Sequence, residues 1–245
     1  MMLAAAMAAV ALVSGSVALP QASYDAVVPG LEPWIFGSDA STAWSLTGDA
    51  TLYAAPGGTA VATLAATNFL DQPTVVVAVD ARGDWARVLT PARQSLPSAN
   101  GGDAAAQTSG WIARGALAHP VPLTRTIVVS ISNRTLSIVP KSGSPTTFPV
   151  GIGMDDTPTP SGVTGYLQAR YFDPAQQQSS HPVQLTSLHS TAADEPFGGE
   201  DGGLIGLHYE KDATGAVSHG CVRLGTAAIT AVNALPLGTL VTIRP

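Results

Sequence analysis

The chain of 245 residues has one cysteine, Cys221. An internal disulfide and a cysteine-cluster metal site are therefore excluded. No His-Glu-x-x-His or comparable ligand spacing occurs, so neither a metal nor any other cofactor is expected. Charge is also scarce, at 11% of residues. The first 81 residues hold no Lys or Arg and six acidic residues, a net −6, and the remainder cancels at 11 basic and 11 acidic. Nothing supplies the basic patch that nucleic-acid binding needs. Low charge here does not mean disorder, because 45% of residues are hydrophobic and 25 Gly and 19 Pro supply turns. That balance suggests a mainly β, loop-rich protein.

Residues 3–19 form an apolar, alanine-rich run with no positive charge before it, and Ser16-Val17-Ala18 places small residues at a cleavage site. Residues 1–18 read as a secretory signal peptide. The mature chain is then expected to be secreted or cell-wall associated, with no stable membrane span after processing. No cysteine is available there for lipid attachment. A monomer is expected.

Residues 19–46 mix Pro, Gly, Ser and acids with Trp34 and Trp44, and read as a linker. Residues 47–120 read as one small β-domain. Ala50-Thr51-Leu52-Tyr53, Thr74-Val75-Val76-Val77-Ala78-Val79, Trp85-Ala86-Arg87-Val88-Leu89 and Trp111-Ile112-Ala113-Arg114 have strand patterns. Residues 93–110 read as a mobile Ser/Gly/Ala/Asn loop.

Residues 124–245 form the second domain, and the motif positions suggest that it folds by itself. Residues 126–132 and 134–139 read as strands joined at Asn133, and residues 148–152 as a third. Asp155-Asp156-Thr157-Pro158-Thr159-Pro160-Ser161-Gly162 is a rigid turn, and residues 165–172 return to strand. His181 and His189 fall in a polar stretch with no site role expected. Residues 197–203 are a Gly/acidic loop. Thr226 is positioned to N-cap a short helix reaching Leu235 with Ile229 and Val232 inward, before a last strand over residues 240–243.

The chemistry concentrates in Ser218-His219-Gly220-Cys221-Val222-Arg223-Leu224. An ordinary thiol is mostly protonated near neutral pH. Acyl transfer by a thiol therefore needs an imidazole to take the proton and donors to hold the anion. Both His219 and His208 are candidates for the imidazole. Gly220 permits a tight turn that aims consecutive N–H groups at an oxyanion. Arg223 offers a planar fork for a substrate carboxylate. The bland alternative is a structural cysteine near a surface arginine.

The Ser-His-Gly-Cys-Val-Arg-Leu string resembles the signature of the L,D-transpeptidase catalytic domain of the YkuD type. Leu204-Ile205-Gly206-Leu207-His208 matches the family's upstream histidine segment, and Thr159-Pro160-Ser161-Gly162 matches an element near its active-site face. Tyr209 stands where the family usually has Gly, and the gap to the cysteine is shorter. Leu52-Tyr53, Pro56-Gly57-Gly58, Gly83-Asp84-Trp85 and Gly110-Trp111-Ile112 resemble bacterial SH3-like modules.

The resemblance implies a small SH3-like β-barrel followed by a YkuD-type β-rich catalytic domain with a short helix after the nucleophile. It implies an exported peptidoglycan enzyme whose partners are stem peptides. Cys221 would attack the carbonyl after the L-centre of the third-position diaminopimelate and expel the terminal D-alanine. An amine would then resolve the acyl-enzyme as a cross-link, or water would resolve it as L,D-carboxypeptidase activity. The family pattern makes His208 the proton carrier and His219 a local partner. Arg223, Gly220, Ser218 and Tyr209 would contact substrate, with Gly220 and Cys221 N–H forming the oxyanion hole. Two rival readings are a non-catalytic wall-binding protein and a sortase-like transpeptidase. Slow, ordinary thiol kinetics would mark the former, and the latter usually lacks Ser-His-Gly-Cys.

Overall fold

The computed structural model describes residues 18–35, 37, 39–102, 104–193 and 201–245. Apart from Ala18, the expected signal segment lies outside the described residues, as do residues 197–200 of the expected Gly/acidic loop. The protein is mainly β, with one α-helix among the described residues.

The first sheet contains β1 (Glu32–Pro33), β2 (Thr42–Leu46), β3 (Ala50–Tyr53), β4 (Ala60–Leu64), β5 (Val75–Arg82), β6 (Trp85–Thr90), β7 (Thr108–Ala113) and β8 (Leu117–Pro122). Its order is β4-β3-β7-β6-β5-β2-β8, with β1 paired to β7. Alternation drives it: in β3, Ala50 and Leu52 point inward while Thr51 and Tyr53 do not. Residues 19–46 are a correction to the sequence reading, because they belong to this unit instead of linking to it. β2 pairs with both β5 and β8. Ala22, Val28, Leu31 and Leu46 are buried in the same cluster. A polar, Pro-rich stretch conceals such packing because its few apolar residues are spaced irregularly.

The second sheet contains β9 (Arg125–Ser130), β10 (Thr135–Pro140), β11 (Thr146–Gly153), β12 (Val163–Asp173), β13 (Gln178–His189), β14 (Leu204–Tyr209), β15 (Gly215–Ser218), β16 (Val222–Leu224) and β17 (Leu240–Arg244). The order is β10-β9-β17-β12-β13-β14-β16-β11-β15, and a β10–β11 pairing closes it into a barrel. Closure removes an exposed edge from the β10 side. The turn between β9 and β10 contains Asn133, as expected, although Arg134 takes the left-handed φ of 50°. His181 and His189 lie on the long strand β13, not in a polar loop. Alternating Gln, Ser and Thr disguised this strand, and Gln184, Thr186 and Ser187 are all buried.

Helix α1 (Thr226–Asn233) covers one side of the barrel, with Ala228, Ile229 and Val232 buried. Full burial of side chains this size contributes roughly 1.5–3 kcal/mol each for Ile229 and Val232. Gly225, not Thr226, occupies the N-cap position, and no side chain caps the helix.

The two halves share buried surface. Val77 and Leu89 of the first pack with Tyr166 and Leu240 of the second. Gly238, at φ +87°, is pressed against Ala43 and sits 3.2 Å (as a built Cβ) from Val75. The 93–110 stretch, read as mobile, is anchored there. Gln107 Oε1 accepts from Ser187 at 2.6 Å, and Ala106 O accepts from the His189 amide at 2.8 Å. Arg93 is buried and donates to the carbonyls of Ser190 and Gly202. Ser98 donates its amide to Asp201 Oδ1 at 2.7 Å. Removing the first half would expose all of these groups, so the isolated 124–245 fragment is expected to melt well below the full chain.

His189 reports on this junction. Its Nε2–H reaches Pro91 O at 2.7 Å. Burial first, then the Arg93 charge, pushes its pKa down from 6.5 to about 3. A depressed histidine adds stability above its unfolded pKa and loses it as pH falls. Stability should therefore decline from pH 6.5 towards about pH 3, by about 1.4 kcal/mol per pH unit from this group alone. Denaturant titrations of wild type and His189→Gln are expected to show a shallower acid slope in the variant. Equal slopes would disprove the assignment.

Candidate functional site

Strands β14 and β16 run parallel, with Leu207 beside Val222, His208 beside Arg223 and Tyr209 beside Leu224. Because side chains alternate, one face of this pair carries Ile205, Leu207, Val222 and Leu224, all buried in the barrel core. The other face carries Gly206, His208 and Arg223, with Cys221 just ahead of β16. Pairing thus brings together residues 15 apart in sequence. Cys221 is half-buried. The Gly206 amide donates to its Sγ at 3.3 Å, and Leu204 O lies 3.8 Å from the sulfur.

The loop before the cysteine is held from below. Gly220 has φ +106°, and a Cβ there would meet Ile205 Cδ1 at 3.2 Å. Thr159 Oγ1 accepts from the Gly153 amide at 2.9 Å and donates to Gly220 O at 2.7 Å. Thr157 donates to Ser218 O at 3.2 Å. Ser218 is buried and donates its hydroxyl to Cys221 O at 2.5 Å. It therefore braces the loop, and its expected substrate contact is corrected, because its hydroxyl is already committed inward.

His208 sits half-buried between the Tyr209 carbonyl and the Gln178 amide nitrogen. Its Nδ1 is 3.2 Å from Tyr209 O, which also accepts from Gln178 Nε2 at 3.0 Å. Gln178 Nε2, a donor, also lies 3.4 Å from Nδ1. Tyr209 O is nearer and only accepts, so the tautomer that satisfies it carries its proton on Nδ1 and leaves Nε2 bare. Burial is the main cause holding the pKa of His208 below 6.5. The imidazole is consequently neutral and able to accept a proton near neutral pH. His219 instead lies on an exposed bend. Tyr209 serves the site through its carbonyl, while its ring stacks on His181 at 4.6 Å. Gln178 was missed in the sequence, since a glutamine 30 residues from the histidine leaves no local signal. Arg223 Nε is buried with no partner among the described residues, a donor placed for an acceptor from outside.

The resting thiol departs from the simple expectation of an activated anion. Burial, the largest effect, raises the Cys221 pKa above 9.0, while the Gly206 N–H and the Arg223 charge oppose it. Desolvation outweighs both, so the resting group is a thiol whose proton must leave during attack. No cluster of metal-ligating side chains occurs among the described residues.

Residues 124–243 match the family model of the L,D-transpeptidase catalytic domain, YkuD. That match spans 120 of the 245 residues. Among solved structures, an L,D-transpeptidase from Mycobacterium tuberculosis H37Rv is 16% identical, with 70% of this chain and 90% of that chain covered at a TM-score of 0.38. An L,D-transpeptidase from Stackebrandtia nassauensis is 19% identical, covering 50% of this chain and 57% of that one at 0.35. One from Enterococcus faecium is 18% identical, covering 49% of each at 0.32. The chain thus spans only about half the length of the latter two. No curated protein matches the chain.

Two outcomes test this geometry. Thr159→Val removes a hydroxyl that satisfies two buried backbone groups, at a cost of about 1–3 kcal/mol. A lower melting temperature and a slower Cys221 alkylation rate are expected, and an unchanged rate would show that the loop does not need the clamp. The alkylation rate of the wild-type thiol by iodoacetamide should still be climbing at pH 9. A plateau reached below pH 8 would mean that the anion is stabilised, not disfavoured.

Proposed function

We propose that the protein is an exported peptidoglycan L,D-transpeptidase working through a Cys221 acyl-enzyme. The observation that carries this reading is the parallel β14–β16 pairing, which sets Cys221, Gly206, His208 and Arg223 on one face. In this reading His208 Nε2 takes the thiol proton as Sγ attacks the stem-peptide carbonyl, which offsets the high resting pKa. The oxyanion that forms is held by the N–H groups of Gly220 and Cys221 in the turn. The terminal D-alanine leaves with the proton that His208 returns, and a thioester remains on Cys221. The unpartnered Arg223 Nε–H, with its guanidinium, receives a substrate carboxylate. An amine then resolves the thioester as a cross-link, and water in its place gives carboxypeptidase activity.

Export rests on the apolar run of residues 3–19 ahead of small residues. The first half is read as an SH3-like module on its turn and aromatic pattern.

Mass detection of the covalent adduct with a carbapenem, a ligand class implied by the family resemblance, tests the assignments. Cys221→Ala is expected to form no adduct. His208→Ala is expected to acylate about 10²–10⁴-fold more slowly, the range of a general base. His219→Ala should be milder, because that ring is exposed. An adduct on Cys221→Ala would end the mechanism, and a wild-type rate for His208→Ala would move the base elsewhere. Arg223→Lys keeps charge but loses the fork, so turnover on a stem peptide should fall with an unchanged melting temperature.

A further inference from the structure

The thiol has two differently charged sides. On one lies Arg223, whose charge acts on the sulfur, with His208 beside it in the strand pairing. On the other, a cleft of about 680 Å³ opens between the two halves of the chain, lined among others by Tyr24, Asp25 and Phe69 from the first half and Tyr171, His189 and Leu204 from the second. The cleft reaches the nucleophile through Leu204, whose carbonyl is 3.8 Å from Cys221 Sγ. Tyr171 is near enough that the charge of Cys221, after burial and Asp173, helps hold its phenol above its ordinary pKa.

The cleft has a continuous aromatic wall. The Tyr24 and Phe69 rings are 4.7 Å apart, and Phe69 meets Tyr171 edge-on at 5.8 Å. Tyr24 and Phe69 are 37% and 44% exposed, large apolar surface left facing solvent. Asp25 stands exposed beside them, with one carboxylate oxygen accepting from Ser23 at 2.6 Å. The stretch that supplies these residues contains no Lys or Arg before Arg82. The one arginine in the cleft, Arg93, is committed to Ser190 O and Gly202 O and is offset by Asp201. Finally, His189 spends its Nε2–H on Pro91 O, and its buried Nδ1 has no partner. That nitrogen is a hydrogen-bond acceptor in need of a donor.

Aromatic faces, a carboxylate and an unfilled acceptor all favour a ligand that carries N–H groups and positive charge. We propose that this cleft is the acyl-acceptor site, and that Tyr24, Phe69 and Asp25 bind the ammonium-bearing side chain of the second stem peptide. The inference rests on the acyl-enzyme reading above and assigns the first half of the chain a direct part in it. The donor's carboxylate takes the basic side and the acceptor's amine the acidic, aromatic side, so the two substrates are sorted across one sulfur. In the transfer, the ammonium first gives a proton to His208. The neutral amine attacks the thioester carbonyl, the C–N bond forms, the C–S bond breaks, and the amine's remaining surplus proton ends on the Cys221 sulfur.

The test uses the full chain and two arms. In the first, calorimetry measures binding of an amine-bearing stem tripeptide, and of the same peptide with that amine acetylated, to Cys221→Ala. The comparison is repeated with Phe69→Ala or Asp25→Asn added. In the second, acylation by a stem tetrapeptide and the ratio of cross-linked to hydrolysed product are followed in the Phe69→Ala and Asp25→Asn chains with Cys221 intact. Each substitution is expected to weaken binding of the free-amine peptide roughly tenfold, and acetylation should do at least as much. Acylation should stay within about twofold while products shift towards hydrolysis, which also shows that the fold is kept. Unchanged binding in both variants overturns the proposal, whatever the acylation arm gives. If the unsubstituted chain does not acylate, the proposed reaction fails, and the calorimetric arm still decides whether this cleft holds the amine.

Discussion

The parallel contact between β14 and β16 is the constraint from which the rest of the site follows. A parallel pair cannot be joined by a tight turn, so the chain must travel away and return. Here the return passes through β15 and the Ser218–Cys221 turn, held by Ser218 on Cys221 O and by Thr159 on Gly220 O. The register then decides the chemistry. His208 falls beside Arg223, and the Gly206 amide falls on the sulfur. A slip of one residue would turn His208 into the barrel core and bring Leu207 to the thiol.

Burial determines how this site must work. The same barrel wall that orders Cys221 and His208 also strips water from them. Desolvation raises the thiol pKa and lowers the imidazole pKa, so the neutral pair is favoured over the ion pair. In the proposed reaction such a pair ionises only as a substrate carbonyl arrives. The Tyr209 carbonyl anchors the Nδ1 side of the imidazole, and Gln178 shares that anchor. The rigidity of this arrangement comes from a strand and a barrel, as positioning for catalysis requires.

The first half is bound into the same framework. Arg93, Ser98 and Gln107 reach across to Ser190, Gly202, Asp201 and Ser187. These residues flank the chain that enters β14. A disturbance in the first half can thus be felt at the strand that carries His208, through Arg93 and Gln107, whose buried hydrogen bonds have no water to replace them. The Gly238 contact with Ala43 adds a backbone approach that no larger side chain would allow.

The sequence by itself determined the mainly β character, the place of the short helix and the position of the lone cysteine. These are local matters: alternation, turn residues and a dense motif are written in adjacent positions. It also pointed to His208 and Arg223, through the motif's pattern. It misread residues 19–46, the 93–110 stretch and β13 because their burial is polar or irregularly spaced, and only long-range partners such as Ser187 for Gln107 make it favourable. It left Gln178, the inward turn of Ser218 and the raised thiol pKa unseen. Those were decided by tertiary structure, because desolvation and strand register are properties of what surrounds a residue, not of the residue or its neighbours in sequence.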